Sequence, residues 1–323
     1  MFTGDIHPVV DPWVLEVIVE ATPWWVAFLL VFLTHLGSVY VLVPIVILGY
    51  WWDYERMGPW IGAMVGYYGL MAGIKSFNSA TRPDIAAPVD PELFPEVFLG
   101  WYSHATAIST TSFPSGNVMA PTIVAGLIVL DTRVSTLRRR AIAASLVVLV
   151  VAYSRMALSV HYPIDVVGGL LIGLGYLAGI TWIRNRVEDE TLAMFTLGVG
   201  FAAASLWVRN GLTTLPTFSS ISGSNRTVAF GAAVGGLIVW YLAHRNGQTP
   251  DRLHSTLVPL VAILAAVTAM YVVHDAISHP LVTMAWSGVA TAGAVALPWA
   301  VPPAERTFSW VPGIESGTGQ VAD

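Results

Sequence analysis

Long uninterrupted apolar blocks constrain this chain more than any other feature. Within them apolar residues run together instead of recurring every second or every third to fourth position, so they read neither as half-buried strands nor as amphipathic surface helices. Of 323 residues, 55% are hydrophobic and 11% charged, whereas ordinary soluble domains carry about 25% charged residues. Mean hydropathy is +0.67. Disorder and an ordinary soluble fold are excluded, and the expected class is all-α, a polytopic membrane helical bundle. The net charge of −5 is too small to indicate a nucleic-acid partner. Without cysteine, a disulfide framework, a thiol nucleophile and a cysteine metal cluster are all ruled out.

About nine crossings of roughly 17 to 25 residues or somewhat fewer are expected, at 39–52, 59–74, 117–130, 141–153, 165–183, 192–208, 228–242, 257–273 and 281–300. Residues 24–36 read as a further crossing, a surface-lying helix, or the front of a long first span broken near Gly37. The three-part division that follows is a membrane core over 1–185, additional helices over 186–300 and a polar tail over 301–323.

Orientation follows from the basic residues, which concentrate on the cytoplasmic side in short loops. With nine crossings, Arg56, Arg133, Arg138, Arg139, Arg140, Arg184, Arg186, Arg245, Arg252 and Arg306 share one side. Lys75, Arg82, Arg155, Arg209 and Arg226 share the other, which is therefore expected to face out of the cytoplasm. The acidic N-terminal stretch lacks a basic n-region, so it does not read as a cleaved signal peptide. The multi-pass protein is expected in the cell membrane.

The interval 76–116 is far longer than a usual connection. Pro83, Pro88, Pro91 and Pro95 argue against one continuous helix there, while Phe94, Phe98, Leu99, Trp101 and Tyr102 suit the lipid headgroup level. An interfacial loop, or a lid or lip admitting lipid, is expected.

Three elements on the outer face carry the chemistry. Lys75, the only lysine, stands at a span end, with Arg82 and Pro83 following; alone it would read as a snorkelling side chain. Pro114, Ser115, Gly116 and Asn117 open the next span, where free N–H groups and the helix dipole favour an anion. Arg155 precedes His161 by six positions, and Asp165 follows that histidine by four. Pro163 suits the first turn of a helix, so Asp165 is within reach of the His161 ring. A carboxylate on one imidazole nitrogen fixes the tautomer and leaves the other free to attack. Three cations, an amide nest and an oriented imidazole suit phosphoryl transfer.

With these residues set out, Lys75 to Pro83 resembles the Lys-x6-Arg-Pro motif of the type 2 phosphatidic acid phosphatase superfamily. Pro114 to Asn117 resembles its Pro-Ser-Gly-His motif, and Ser154 to Asp165 its Ser-Arg-x5-His-x3-Asp motif. The resemblance implies a helical core, a phosphohistidine intermediate, and neither metal nor other cofactor. It makes His161 the nucleophile and Asp165 its orienting partner, with Lys75, Arg82, Arg155, Ser115 and the Gly116 amide holding phosphate.

Asn117 departs from the pattern, standing where the superfamily has a proton-donating histidine. Asn donates hydrogen bonds but delivers no proton, and general acid catalysis is worth about 10² to 10⁴ in rate. Three explanations compete. His104 supplies the proton, with His274 and His279 as weaker candidates; or the substrate is a lipid diphosphate, such as a polyprenyl diphosphate, whose leaving phosphate needs no acid; or catalysis is lost.

The leading expectation is an integral membrane phosphatase acting on a lipid phosphate or diphosphate. Its alternatives are a headgroup transferase of the same superfamily and a non-catalytic lipid-phosphate binder or transporter. The helices after residue 183 carry no mid-span charge, which argues against an ion pathway of their own; Arg226 reads as a solvated loop residue. Oligomeric state is left open.

Overall fold

The structure, a computed structural model, describes residues 10–78, 80–106, 110–209, 225–246 and 279–300. These form helices without strands: α1 Val10–Ala21, α2 Trp24–Leu33, α3 Val39–Trp52, α4 Tyr54–Phe77, α5 Glu96–Thr106, α6 Gly116–Asp131, α7 Leu137–Ala157, α8 Pro163–Arg184, α9 Glu190–Arg209, α10 Asn225–Arg245 and α11 Pro280–Ala300. The chain is an all-α membrane helical bundle. Eight of the expected crossings fall on described residues and coincide with α3, α4 and α6 to α11. The crossing at 257–273, His274 and the tail 301–323 lie outside the described residues.

Five helices, α7 to α11, are each long and apolar enough to cross a bilayer. The apolar helices α3 and α6 are shorter, at 14 and 16 residues. Pro23 starts α2 without an N–H to continue α1, and the chain turns by 108° there. A short 3-10 turn, Thr34–Gly37, then separates α2 from α3. In the long interval, Pro91–Leu93 forms one 3-10 turn, and α5 begins immediately after Pro95.

The 24-residue α4 runs through the middle of the bundle. Gly62 and Gly69 let it approach α9 backbone to backbone, since an added Cβ would stand 2.6 Å from the Phe195 and Ala202 nitrogens respectively. Around α4, Trp60, Met64 and Tyr67 join Met119, Ile123, Tyr176 and Phe195 in the principal core. α11 packs on α3, where Tyr50 and Trp51 donate to the Val295 and Ala294 carbonyls, each at 2.8 Å.

A polar clasp closes one end. Asp131 on α6 accepts from Trp60 Nε1 at 2.7 Å and from Arg184 Nη1 and Nη2 at 2.9 and 3.2 Å. Arg184 Nε also donates to Glu190 at 2.6 Å. One guanidinium thus ties together α6, α8 and α9, with α4 joined through the indole. At about 1.5 Å per residue, α8 spans about 33 Å, which puts this clasp at the far end from His161.

Candidate active site

Four helix ends meet opposite that clasp. The last turn of α4 brings Lys75, the start of α6 brings Ser115 to Asn117, the end of α7 brings Arg155, and the start of α8 brings Asp165. Between α7 and α8, Ser159 takes φ 54°, a left-handed conformation that residues other than glycine seldom hold. The chain turns sharply there, and the Val160 and His161 amides both donate to the Arg155 carbonyl, at 3.1 and 3.2 Å.

His161 is 3% exposed. Its Nδ1 lies 3.4 Å from Asp165 Oδ2, and its Nε2 lies 3.3 Å from Arg82 Nη1. A guanidinium only donates, so Nε2 holds the lone pair and Nδ1 the proton. Asp165 Oδ2 also accepts from the Tyr162 amide at 2.8 Å and from the Ser112 hydroxyl. Burial, the largest influence, lowers the His161 pKa to about 3, and the Asp165 hydrogen bond offsets only part of that fall. The resting imidazole is neutral with its outward nitrogen unprotonated, the form required of a nucleophile.

The cations divide into two kinds. Lys75 Nζ donates to the Thr111 and Ser112 carbonyls. Arg82 donates from Nε to Thr110 O at 2.8 Å, from Nη2 to Thr111 O at 3.3 Å, and from Nη1 to Val160 O. These two side chains shape the loop holding Ser112. Arg155 is wholly buried, with Nη1 donating to Thr34 Oγ1 at 3.0 Å and Ala105 O at 3.2 Å. Its Nε and Nη2, like the buried Ser115 Oγ, have no partner among the described residues. An unmatched buried donor costs about 1–3 kcal/mol, and a bound anion would match it.

Packing sets the loop ahead of α6. Ser115 N donates to the Asp165 carbonyl at 3.0 Å, and a Cβ on Gly169 would stand 2.6 Å from the Ser115 oxygen. Tyr67 donates to the Gly116 carbonyl at 2.9 Å from the other side. Gly37 lies against the main chain of Asn117 too closely for a Cβ.

His104 sits on α5, its ring stacked on His35 at 5.6 Å between centroids and 14° between planes, and against Tyr40 at 5.2 Å. Burial first, then the Arg155 charge, lowers the His104 pKa. His279 is exposed, and its carbonyl caps α11 by accepting from Val282 and Thr283. Arg226 is not merely solvated: its Nη2 donates to Ser76 Oγ at 2.6 Å, fastening α10 to the end of α4 beside Lys75.

Sequence reasoning missed Ser112 and His35. Ser112 belongs to no spacing signal, and its place beside Asp165 depends on how residues 110–115 fold back. His35 lay inside a segment read by its hydrophobicity, although a histidine followed by Leu36 and Gly37 in an apolar run was a signal available for use.

No curated protein and no solved structure matches the chain significantly. Residues 58–189 match the family model described as the PAP2 superfamily, a stretch containing all three motifs and every contact described for His161. Members of that superfamily are generally phosphatases acting on phosphate esters of lipids. Through residues 58–189 the chain is thus similar to the PAP2 superfamily.

Proposed function

We propose that this protein hydrolyses a phosphate or diphosphate ester of a lipid through a phosphohistidine at His161. The observation that carries the reading is the His161 ring, proton-bearing on the Asp165 side and lone-pair-bearing on the Arg82 side. In the first step Nε2 attacks phosphorus, an N–P bond forms, and the bond from phosphorus to the leaving oxygen breaks. Positive charge on the ring is balanced by Asp165. Arg155 Nε and Nη2, Ser115 Oγ and the first amides of α6 supply donors for the equatorial oxygens, and Arg82 shifts from the imidazole to the phosphoryl group. Lys75 supports the Thr111 and Ser112 carbonyls and adds positive charge. Water then attacks phosphorus, an O–P bond forms as the N–P bond breaks, and inorganic phosphate leaves free His161.

Asn117 steadies the leaving group by hydrogen bonding but donates no proton, so the leaving oxygen departs as a weak base or takes its proton from His104. A lipid diphosphate, such as a polyprenyl diphosphate, meets the first condition because it expels a monophosphate. The 1–185 segment is the catalytic core in this reading, with 186–300 as supporting helices. Lys75, Arg82 and Arg155 lie on the extracytoplasmic side of the cell membrane.

The test is phosphate release by purified protein from matched lipid mono- and diphosphates, with His161→Ala as control. Covalent phosphate on His161, absent in His161→Ala, is expected. A new lipid with little free phosphate would indicate headgroup transfer, and binding without any covalent phosphate would indicate a carrier. Faster turnover of the diphosphate, with monoester turnover raised selectively by Asn117→His, supports the leaving-group argument; equal or better monoester turnover by the unaltered protein removes it.

A further inference from the structure

α5 passes from exposed to buried along one stripe. Ala105 is buried, and its carbonyl accepts from Arg155. The Trp101 carbonyl accepts from His35 Nε2 at 3.3 Å. These bonds fasten the last turns of α5 to Arg155 and to the 3-10 turn ahead of α3. One and two turns before Ala105 on that stripe, Trp101 and Val97 are 48% and 75% exposed, the Trp101 ring standing edge-on to His35 at 4.8 Å. Glu96 and Ser103, also exposed, lie about a third of a turn further round.

The outward apolar stripe does not end with α5. Phe32 of α2 packs edge-on against Phe98 at 5.5 Å and beside Trp101 at 6.2 Å. Around it α2 exposes Trp25, Leu29 and Leu33 at four-residue spacing. The two helices therefore present adjoining apolar surfaces, the α5 stripe ending inward at His104, seven residues after Val97, next to the end of α7 where that span leaves the membrane. Isolated exposed apolar residues need no explanation, whereas a continuous rimmed patch does. Tryptophan at this level suits the boundary between headgroups and acyl chains.

We infer that α5 is seated in the lipid headgroup layer by Val97 and Trp101, and that the bilayer surface is the partner holding the end of α5, through the Ala105 carbonyl, against Arg155. Lipid at this surface sets the position of one phosphate-facing guanidinium. The site is thereby more fully assembled while α5 is seated than when it is not, for any substrate that reaches it. The seating stands on the surface alone; its effect on turnover rests on the phosphatase reading.

Because the chain has no cysteine, single labels can be placed without background. Full-length Val97→Cys and Ser103→Cys proteins would each carry a nitroxide in phosphatidylcholine–phosphatidylglycerol vesicles. Collision with oxygen should exceed collision with a water-soluble nickel complex at position 97, with the reverse at 103. Nickel access at 97 equal to that at 103 would overturn the seating, whatever the enzyme does. For the coupling, Val97→Gln should lower turnover of both a long-chain alkyl phosphate and p-nitrophenyl phosphate in those vesicles about tenfold, while Ser103→Gln, away from the apolar stripe, lowers neither. Undiminished turnover by Val97→Gln, or an equal loss from Ser103→Gln, refutes the coupling. Absence of turnover by the unaltered protein would sink the phosphatase reading and the coupling while leaving the label measurement decisive for the seating.

Discussion

At the scale of single residues, the decisive arrangement is the asymmetry of the His161 ring. Asp165 Oδ2 collects the Tyr162 amide, the Ser112 hydroxyl and the imidazole Nδ1, so the carboxylate is held rigid while it fixes the tautomer. Asp165→Asn would offer an amide N–H in place of an acceptor and favour the wrong tautomer. Phosphate release should fall by about 10³ or more, in line with the comparable substitution in Ser-His-Asp enzymes. Ser112→Ala removes only one supporting donor and should cost about tenfold, one hydrogen bond to a charged group being worth about 1.5 kcal/mol. A Ser112→Ala protein with undiminished turnover would deny the hydroxyl any positioning role.

The same ring has a pH signature. The folded protein holds His161 neutral down to about pH 3, whereas the unfolded chain protonates it below about 6.5. The stability from this group is fully present above the unfolded pKa and drains away as pH falls toward the folded one, with a slope approaching about 1.4 kcal/mol per pH unit. Melting temperature in detergent should therefore decline more steeply between pH 6.5 and 4.5 in the unaltered protein than in His161→Asn. Parallel declines would show that His161 is not the group responsible.

At the scale of elements, close approach of helices decides where loops can sit. Gly169 gives the Ser115 carbonyl room on α8, whereas Gly179 has nothing within 4 Å. Gly169→Ala must push the 113–115 loop away and strain the Ser115 to Asp165 main-chain bond, costing about 1–3 kcal/mol and most of the activity. Gly179→Ala, on the same helix, should be neutral or stabilise by up to about 1 kcal/mol through helix propensity. Thermal melting together with phosphate release distinguishes the two; similar losses from both would show that the loop is not placed by this contact.

At the scale of the whole molecule, the reactive end and the clasp are separate. Arg184→Ala leaves Asp131 largely buried with the Trp60 indole as its remaining described partner, and removing one member of a buried pair costs about 3 kcal/mol. Melting temperature should drop, while KM measured well below the melting point stays unchanged because the bundle length lies between the two sites. A raised KM without a changed melting point would reverse that assignment. Across the bundle, α9 and α10 pack along α4, and Arg226 of α10 reaches Ser76. The later helices therefore brace the element that carries Lys75.

The sequence by itself determined the helical membrane class, because apolar blocks long enough to span lipid leave the backbone few alternatives. It also determined which residues gather at His161: fixed spacing across a helix start carries Asp165 to the ring, and the order of the crossings carries Lys75, Ser115 and Arg155 to one face. Tertiary structure alone decided the rest. Ser112 reaches Asp165 because Lys75 and Arg82 bind the carbonyls of its loop, and His35 meets His104 because α2 turns back beneath α5. Arg155, and not Lys75 or Arg82, keeps guanidinium donors unmatched among the described residues. Each of these depends on contacts between segments distant in the chain, whose partners no local periodicity or charge pattern encodes.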